Sequence, residues 1–252
     1  MSISFDGSGH QYVGLSAGTI GAAGTGDYTI VALMRPQNYR ASPVSLWSGS
    51  LTGTDVREII LDGVGGPGSG KWFGAGDFSA GFSTGIENTW YLIGQSKAAG
   101  TNVYHWHRWV YNSSGDISGG NAPTHADGTG THGDGSTIAA VRLGDGANEN
   151  WGEIAVVAVW KRVLSDADFT SLCTTTASSF MSLGTGAADA LWLCNVSSPA
   201  SIVDSTNNGA NETTVVGSGI TGSAADPPSY SYNLWTSVSN APLQWLQGIP
   251  SP

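Results

Sequence analysis

The sequence predicts an all-β protein, an antiparallel sandwich of many short strands with one helix, and three observations carry that prediction. First, 252 residues include 37 Gly and 10 Trp, yet only 11% are charged. Scarce Leu, Lys and Glu beside abundant Gly, Thr, Ser and Val disfavours helices and suits strands joined by turns. Second, β-prone runs recur between clusters of Gly, Asp, Asn and Ser. Third, Trp151–Ser165 (WGEIAVVAVWKRVLS) is a long apolar run that closes on a helix-capping residue. A chain of this length buries roughly 70–75% of its unfolded surface, so it needs no disulfide to fold.

Strands are expected at 2–6, 11–15, 27–34, 43–49, 57–62, 71–75, 89–97, 102–111, 137–144 and 152–161. Proline stops the third at Arg35-Pro36. The run 102–111 (NVYHWHRWVY) alternates, placing Tyr104, Trp106, Arg108 and Val110 opposite His105, His107, Trp109 and Tyr111. Residues 115–136 are Gly-rich without a strand signal and read as a long exposed loop. The helix follows Leu164: Ser165 is a good N-cap, Asp168 completes a capping box, and Ala167, Phe169, Leu172 and Cys173 form its apolar stripe. Further strands are expected at 190–194 and 213–216, so 1–225 forms the sandwich, with 187–225 completing it. Residues 226–252 are Pro-rich and aromatic, and read as an arm lying along its own domain or a neighbour.

Charge narrows the partners. The net charge is −10 with nine basic residues, none clustered, so neither nucleic acid nor an anionic membrane surface is expected as a partner. No apolar run is long enough for a membrane span, and the start MSISFD reads as no secretory signal. Cys173 and Cys194 could pair, but two buried free thiols are the plainer reading.

Several segments in order resemble the laminin-G-like, concanavalin A-like jelly-roll family. Ile3-Ser4-Phe5-Asp6-Gly7-Ser8 with Gln11-Tyr12-Val13 is similar to its opening turn and strand, and Asp27–Pro36 to its next strand. Asn88–Ile93 and 103–111 resemble its central hairpin. Leu143-Gly144, Trp151–Ile154 and Val159–Ser165 resemble its closing run, and Leu191-Trp192 with Asp204–Asn207 a segment that accompanies it. The resemblance spans about residues 1–217 and implies an antiparallel two-sheet jelly roll. Relatives often carry an acidic pair where Ala155 and Val156 stand, which leaves Ile154–Val159 apolar on both faces. Both faces of that strand should therefore be covered, by the helix, the arm or another subunit.

Catalytic chemistry finds little footing. Glu58 and Asp62 share a strand face but lack the compact acid run of sandwich glycosidases, and read as solvated acids. His105 and His107 lie on one strand face at a spacing compatible with metal; with no third ligand nearby they read as partly exposed histidines. No cofactor is required. Calcium is the cation that the resemblance brings forward, with Asp145, Asn148 and Asn150 as rim ligands and Asp127 and Asp134 in the Gly-rich loop. Trp47, Trp90, Trp160 and Trp192 read as core, whereas Trp72, Trp106, Trp109 and Trp151 could turn outward and stack on a sugar.

The expected function is non-enzymatic: a structural and adhesive virion protein, a phage tail or capsid-decoration component made in the host cytoplasm. It would contact other virion proteins, its own copies or a host glycan, with Tyr230, Tyr232, Trp235, Trp245 and Leu246 of the arm as anchors. The alternative is a secreted carbohydrate-binding module, and a glycan-active enzyme comes third.

Overall fold

The computed structural model describes residues 2–6, 11–16, 26–37, 40–47, 57–62, 70–73, 80–85, 88–101, 103–110, 124–129, 140–144, 151–173, 186–194, 198–199, 202, 206, 212–216 and 219–223. In chain order the strands are β1 (Ser2–Asp6), β2 (Tyr12–Ser16), β3 (Tyr28–Pro36), β4 (Arg40–Trp47), β5 (Arg57–Asp62), β6 (Gly70–Phe73), β7 (Ala80–Gly85), β8 (Tyr91–Lys97), β9 (Val103–Val110), β10 (Thr124–Thr129), β11 (Ala140–Leu143) and β12 (Trp151–Trp160). Helix α1 (Asp166–Cys173) follows, then β13 (Ala190–Leu193), β14 (Glu212–Val216) and β15 (Ile220–Ser223). One sheet runs β10-β9-β8-β3-β12-β1-β15, with β13 also paired to β12; the other runs β14-β2-β11-β4-β5-β6-β7. Every pairing is antiparallel. The chain is thus an all-β, two-sheet jelly-roll sandwich with one short helix after its closing strand. Residues 226–252, the expected arm, lie outside the described residues.

Three strands escape the sequence patterns: β7 (AGFSTG), β10 (THADGT) and β15 (ITGS). The second overturns the reading of 115–136 as one long exposed loop. Gly and Asp are poor strand formers, but β10 is held in register along β9 from Thr124↔Arg108 to Thr129↔Val103. Tertiary pairing overrides local propensity here.

The sandwich has two cores because its central strands are apolar on both faces. Tyr28, Ile30, Ala32 and Met34 of β3 meet Ile154, Val157 and Val159 of β12 between the sheets. Val31 and Leu33, with Ala155, Val156, Ala158 and Trp160, face outward into a second buried cluster. A bulge between Ile154 and Val156 turns Ala155 and Val156 to that same outer side. The outer cluster is capped by Leu164, Phe169 and Leu172 from the helix region and Leu191 from β13. The chain itself therefore covers the greasy face of β12, as its pattern required, and no second subunit is needed there.

Local chemistry fixes where α1 starts. Ser165 N–H and Oγ–H both donate to Asp168 Oδ2 (3.0 and 2.8 Å), and Asp168 N–H returns a bond to Ser165 Oγ (3.2 Å), closing the expected capping box. Upstream, Thr29 of β3 donates its hydroxyl to the Arg162 carbonyl (2.8 Å) and accepts from Leu164 N–H (2.9 Å). With its one proton so used, Thr29 Oγ1 accepts from the Ser96 hydroxyl at 2.7 Å. These bonds stitch the segment between β12 and α1 onto the sheet. Among the described residues no helix is long and apolar enough to cross a membrane.

At the other end of β12, buried Glu153 takes a bidentate grip from Arg35 (2.8 and 2.6 Å) and a third bond from Gln37 (3.0 Å). The neighbouring Gly152 has φ +151°, and a Cβ there would stand 2.5 Å from the Arg35 carbonyl oxygen. Gly152→Ala is expected to lower unfolding stability by about 3 kcal/mol or more, through backbone strain and displacement of the Arg35 strand end. Urea denaturation measures this; a loss below about 0.5 kcal/mol would show that the strand ends yield freely.

Candidate functional site

The two faces of β9 divide as its alternation predicts, and that division both removes one candidate site and builds another. Tyr104 and Trp106 enter the core between the sheets, with Trp106 0% exposed. His105, His107 and Trp109 face the opposite way, where Trp109, 5% exposed, joins the outer cluster. Neither Trp106 nor Trp109 presents a ring to solvent, which corrects their expected role as sugar platforms. Both sit on a strand covered on both sides, where an indole gains more from packing than a sugar could return. Trp90, Trp160 and Trp192 are core, as expected. The Trp47, Trp72 and Trp151 side chains, Asp134, Asp145, Asn148, Asn150, the Glu58 and Asp62 side chains, and the arm residues Tyr230, Tyr232, Trp235, Trp245 and Leu246 lie outside the described residues. Cys194 is a buried free thiol whose burial pushes its pKa up, leaving it protonated and inert; the Cys173 side chain lies outside the described residues.

The outward histidines of β9 acquire partners that the sequence concealed. Register sets His105 opposite Asp127 and His107 opposite His125 on β10. His105 Nδ1 lies 2.7 Å from Asp127 Oδ1, so this aspartate serves an imidazole beside the sheet edge. His107 Nδ1 lies 2.9 Å from His125 Nδ1. Asp166, the first residue of α1, brings Oδ1 to 3.0 Å from His125 Nδ1 and 3.5 Å from His107 Nδ1. Two imidazoles and a carboxylate thus converge from three elements, and they are a group able to hold a metal ion. The expectation that no third ligand stands near is overturned, because His125 comes from the unrecognised β10 and Asp166 from the far side of β12. His107 is also no partly exposed histidine: its side chain is 1% exposed, against 42% for His105.

Phe169 organises this cluster. Its ring stacks on His107 (centroids 4.9 Å, 21°) and meets His125 edge-on (6.4 Å, 81°). It can approach because Gly94 stands opposite His107 on β8, and a Cβ at Gly94 would lie 3.1 Å from Phe169 Cε2. The missing side chain at Gly94 therefore sets the depth of α1 on the sheet and, through α1, the position of Asp166.

Burial lowers the His107 pKa to about 4, assisted by the neighbouring His125 and opposed by Asp166. The ring is neutral near pH 7, with Nδ1 turned toward His125 and Asp166. Its Nε2, on the far side of the ring, has no hydrogen-bond partner among the described residues. A proton on His107 Nδ1 leaves the His125 and Asp166 lone pairs facing each other. A proton on His125 Nδ1 serves both neighbours only as a bifurcated bond and puts the remaining His107 proton on that unpartnered Nε2.

Beside the cluster opens a pocket of about 460 Å³, walled by His105, His107, His125, Asp127, Ser165 and Asp166 among others. This is the size of a small-molecule site, with polar groups converging from two strands and a helix start.

Two measurements test this arrangement. In a chelating buffer, the His107 pKa of about 4 against 6.5 in the unfolded chain means that the unfolded state binds the extra proton first. Its contribution is whole above pH 6.5 and is lost as pH falls toward 4, by roughly 3 kcal/mol, and His107→Gln should flatten that slope. An unchanged slope in the variant would place the acid sensitivity elsewhere. Gly94→Val should lift Phe169 and cost about 1–3 kcal/mol in chemical denaturation, whereas a neutral result would deny Gly94 its spacing role.

No family model matches the chain, and no curated protein does. Among solved structures it is similar to a heptameric SAP-like pentraxin from Limulus polyphemus, at 11% identity and a TM-score of 0.49, over 75% of this chain and 91% of that one. It is also similar to a protein of unknown function from Shewanella oneidensis MR-1, at 10% identity and a TM-score of 0.32, over 61% of this chain and 69% of that one.

Proposed function

We propose that this protein is a non-enzymatic binding module whose recognition site is the pocket between β9, β10 and the start of α1. The observation that carries this reading is the convergence of His105, His107, His125, Asp127 and Asp166 on one pocket of about 460 Å³. Such a site sets several hydrogen-bonding groups beside the apolar Trp106, Val163 and Leu164, a mixture that suits a hydroxyl-rich ligand such as a saccharide unit better than a wholly hydrophobic one. Recognition here would rest on polar groups, since the tryptophans assigned to stacking on β9 are buried. Both a secreted carbohydrate-binding module and the adhesive part of a virion would use a pocket of this kind.

A glycan array probed with the intact chain tests the ligand class. Binding should be selective, and Asp127→Ala with His105→Ala should weaken it about tenfold or more. An array without a hit, or hits unchanged in the variant, would sink the reading.

An assembly role in a virion is the second reading. With β12 covered by its own chain, the support for it is the aromatic, Pro-rich composition of 226–252 and the weakly charged sequence. Removing 227–252 should abolish association with partner chains or further copies in sedimentation; an unchanged mass distribution would remove that role from the arm.

A further inference from the structure

We propose that His107, His125 and Asp166 bind a divalent transition-metal ion of the zinc class, with an open coordination position turned to the pocket. The inference deepens the binding reading above by adding an inorganic ligand to the same site, but its support is the geometry of three atoms. His107 Nδ1, His125 Nδ1 and Asp166 Oδ1 form a triangle with edges of 2.9, 3.0 and 3.5 Å. Ligand atoms around a tetrahedral zinc, bonded at about 2.0–2.1 Å, stand about 3.3 Å apart. A triangle with these edges has a circumradius of about 1.8 Å, so an ion at bonding distance from all three atoms sits roughly 1 Å out of its plane. That is the place of a metal resting on three of its four ligands.

Charge and donor type point the same way. All three atoms point toward one another, and no single proton serves them all with a straight hydrogen bond. A dication satisfies the three together. Two borderline imidazoles with one harder carboxylate make a set that suits zinc, cobalt, nickel or copper. Calcium, which takes six to eight oxygens, is a poor match for this set. The rings are preset as well, with Phe169 stacked on His107 and edge-on to His125. Three protein ligands leave at least one position for water or an added oxygen donor. Access is on the ligand side, where the His125 and Asp166 side chains are 27% and 67% exposed while His107 anchors the floor. Bound there, the ion would clip the outer strand β10 to α1 and stabilise the fold by mass action.

The test uses the full chain, stripped with a chelator and returned to metal-free buffer. Calorimetric titration with Zn²⁺ should give one ion per chain, and Co²⁺ should develop visible d–d absorption that Zn²⁺ quenches. His125→Gln and Asp166→Asn, both at exposed or half-exposed positions, should each weaken Zn²⁺ binding on the order of 100-fold while near-ultraviolet circular dichroism stays unchanged. His107→Gln should do the same, but His125 and Asp166 decide the matter if that buried variant fails to fold. No saturable uptake of either ion, or uptake unchanged in both surface variants, would overturn the proposal. The two readings fail separately: stoichiometric Zn²⁺ without any array hit removes the saccharide and keeps the ion. Chelator-resistant glycan binding without Zn²⁺ uptake does the reverse.

Discussion

The arrangement depends on β12 being apolar on both faces. A strand in a two-sheet sandwich normally buries one side and shows the other to water. Here Ala155, Val156, Ala158 and Trp160 must be covered on the outer side, and the chain meets that demand with α1 and β13. Once the helix is forced onto the outer face of the larger sheet, its first turn comes to rest over β9 and β10. The polar site is thus a by-product of a hydrophobic requirement: the apolar burial that holds α1 down also delivers Asp166 to His107 and His125.

Precision comes from smaller interactions layered on that burial. Burial alone would let the helix slide, but the Thr29 hydroxyl holds the approach at Arg162 and Leu164, and the Ser165–Asp168 box fixes the first turn. Gly94 sets the height by admitting Phe169 against the sheet. The aromatic ring then does two jobs, filling the outer cluster and orienting two imidazoles. Polar placement and packing share the same side chains, so a packing change at Gly94 or Phe169 reaches the site without touching a ligand atom.

Much of the fold was legible because it rests on local signals. Alternation in 103–110 assigned Tyr104 and Trp106 to one face and His105, His107 and Trp109 to the other. The capping residues located α1, and the apolar run 154–159 announced that something must lie over it. The site was far less legible. His105 and His107 were visible as a pair, but their partners stand on a strand written THADGT and at a helix start beyond β12. Neither has a local pattern: β10 is a strand only because β9 pairs with it, and Asp166 is near only because the outer cluster must close. The tryptophans of β9 misled for a related reason. Alternation shows that two residues face opposite ways, but whether both sides are dry depends on a helix more than fifty residues downstream.

The seat of Asp166 also ties the pocket to contacts made far apart in the sequence. His107 and His125 meet through a hairpin-like pairing, a contact of modest loop-closure cost. Asp166 reaches them through β12 seated between β3 and β1 and through α1 docked on the sheet, which are contacts of long sequence separation. The pair of histidines is thus a local feature of two neighbouring strands, and the closed triangle a property of the whole sandwich. Possession of the whole site is therefore a certificate of the native topology, since its third corner exists only where α1 lies closed over the outer cluster.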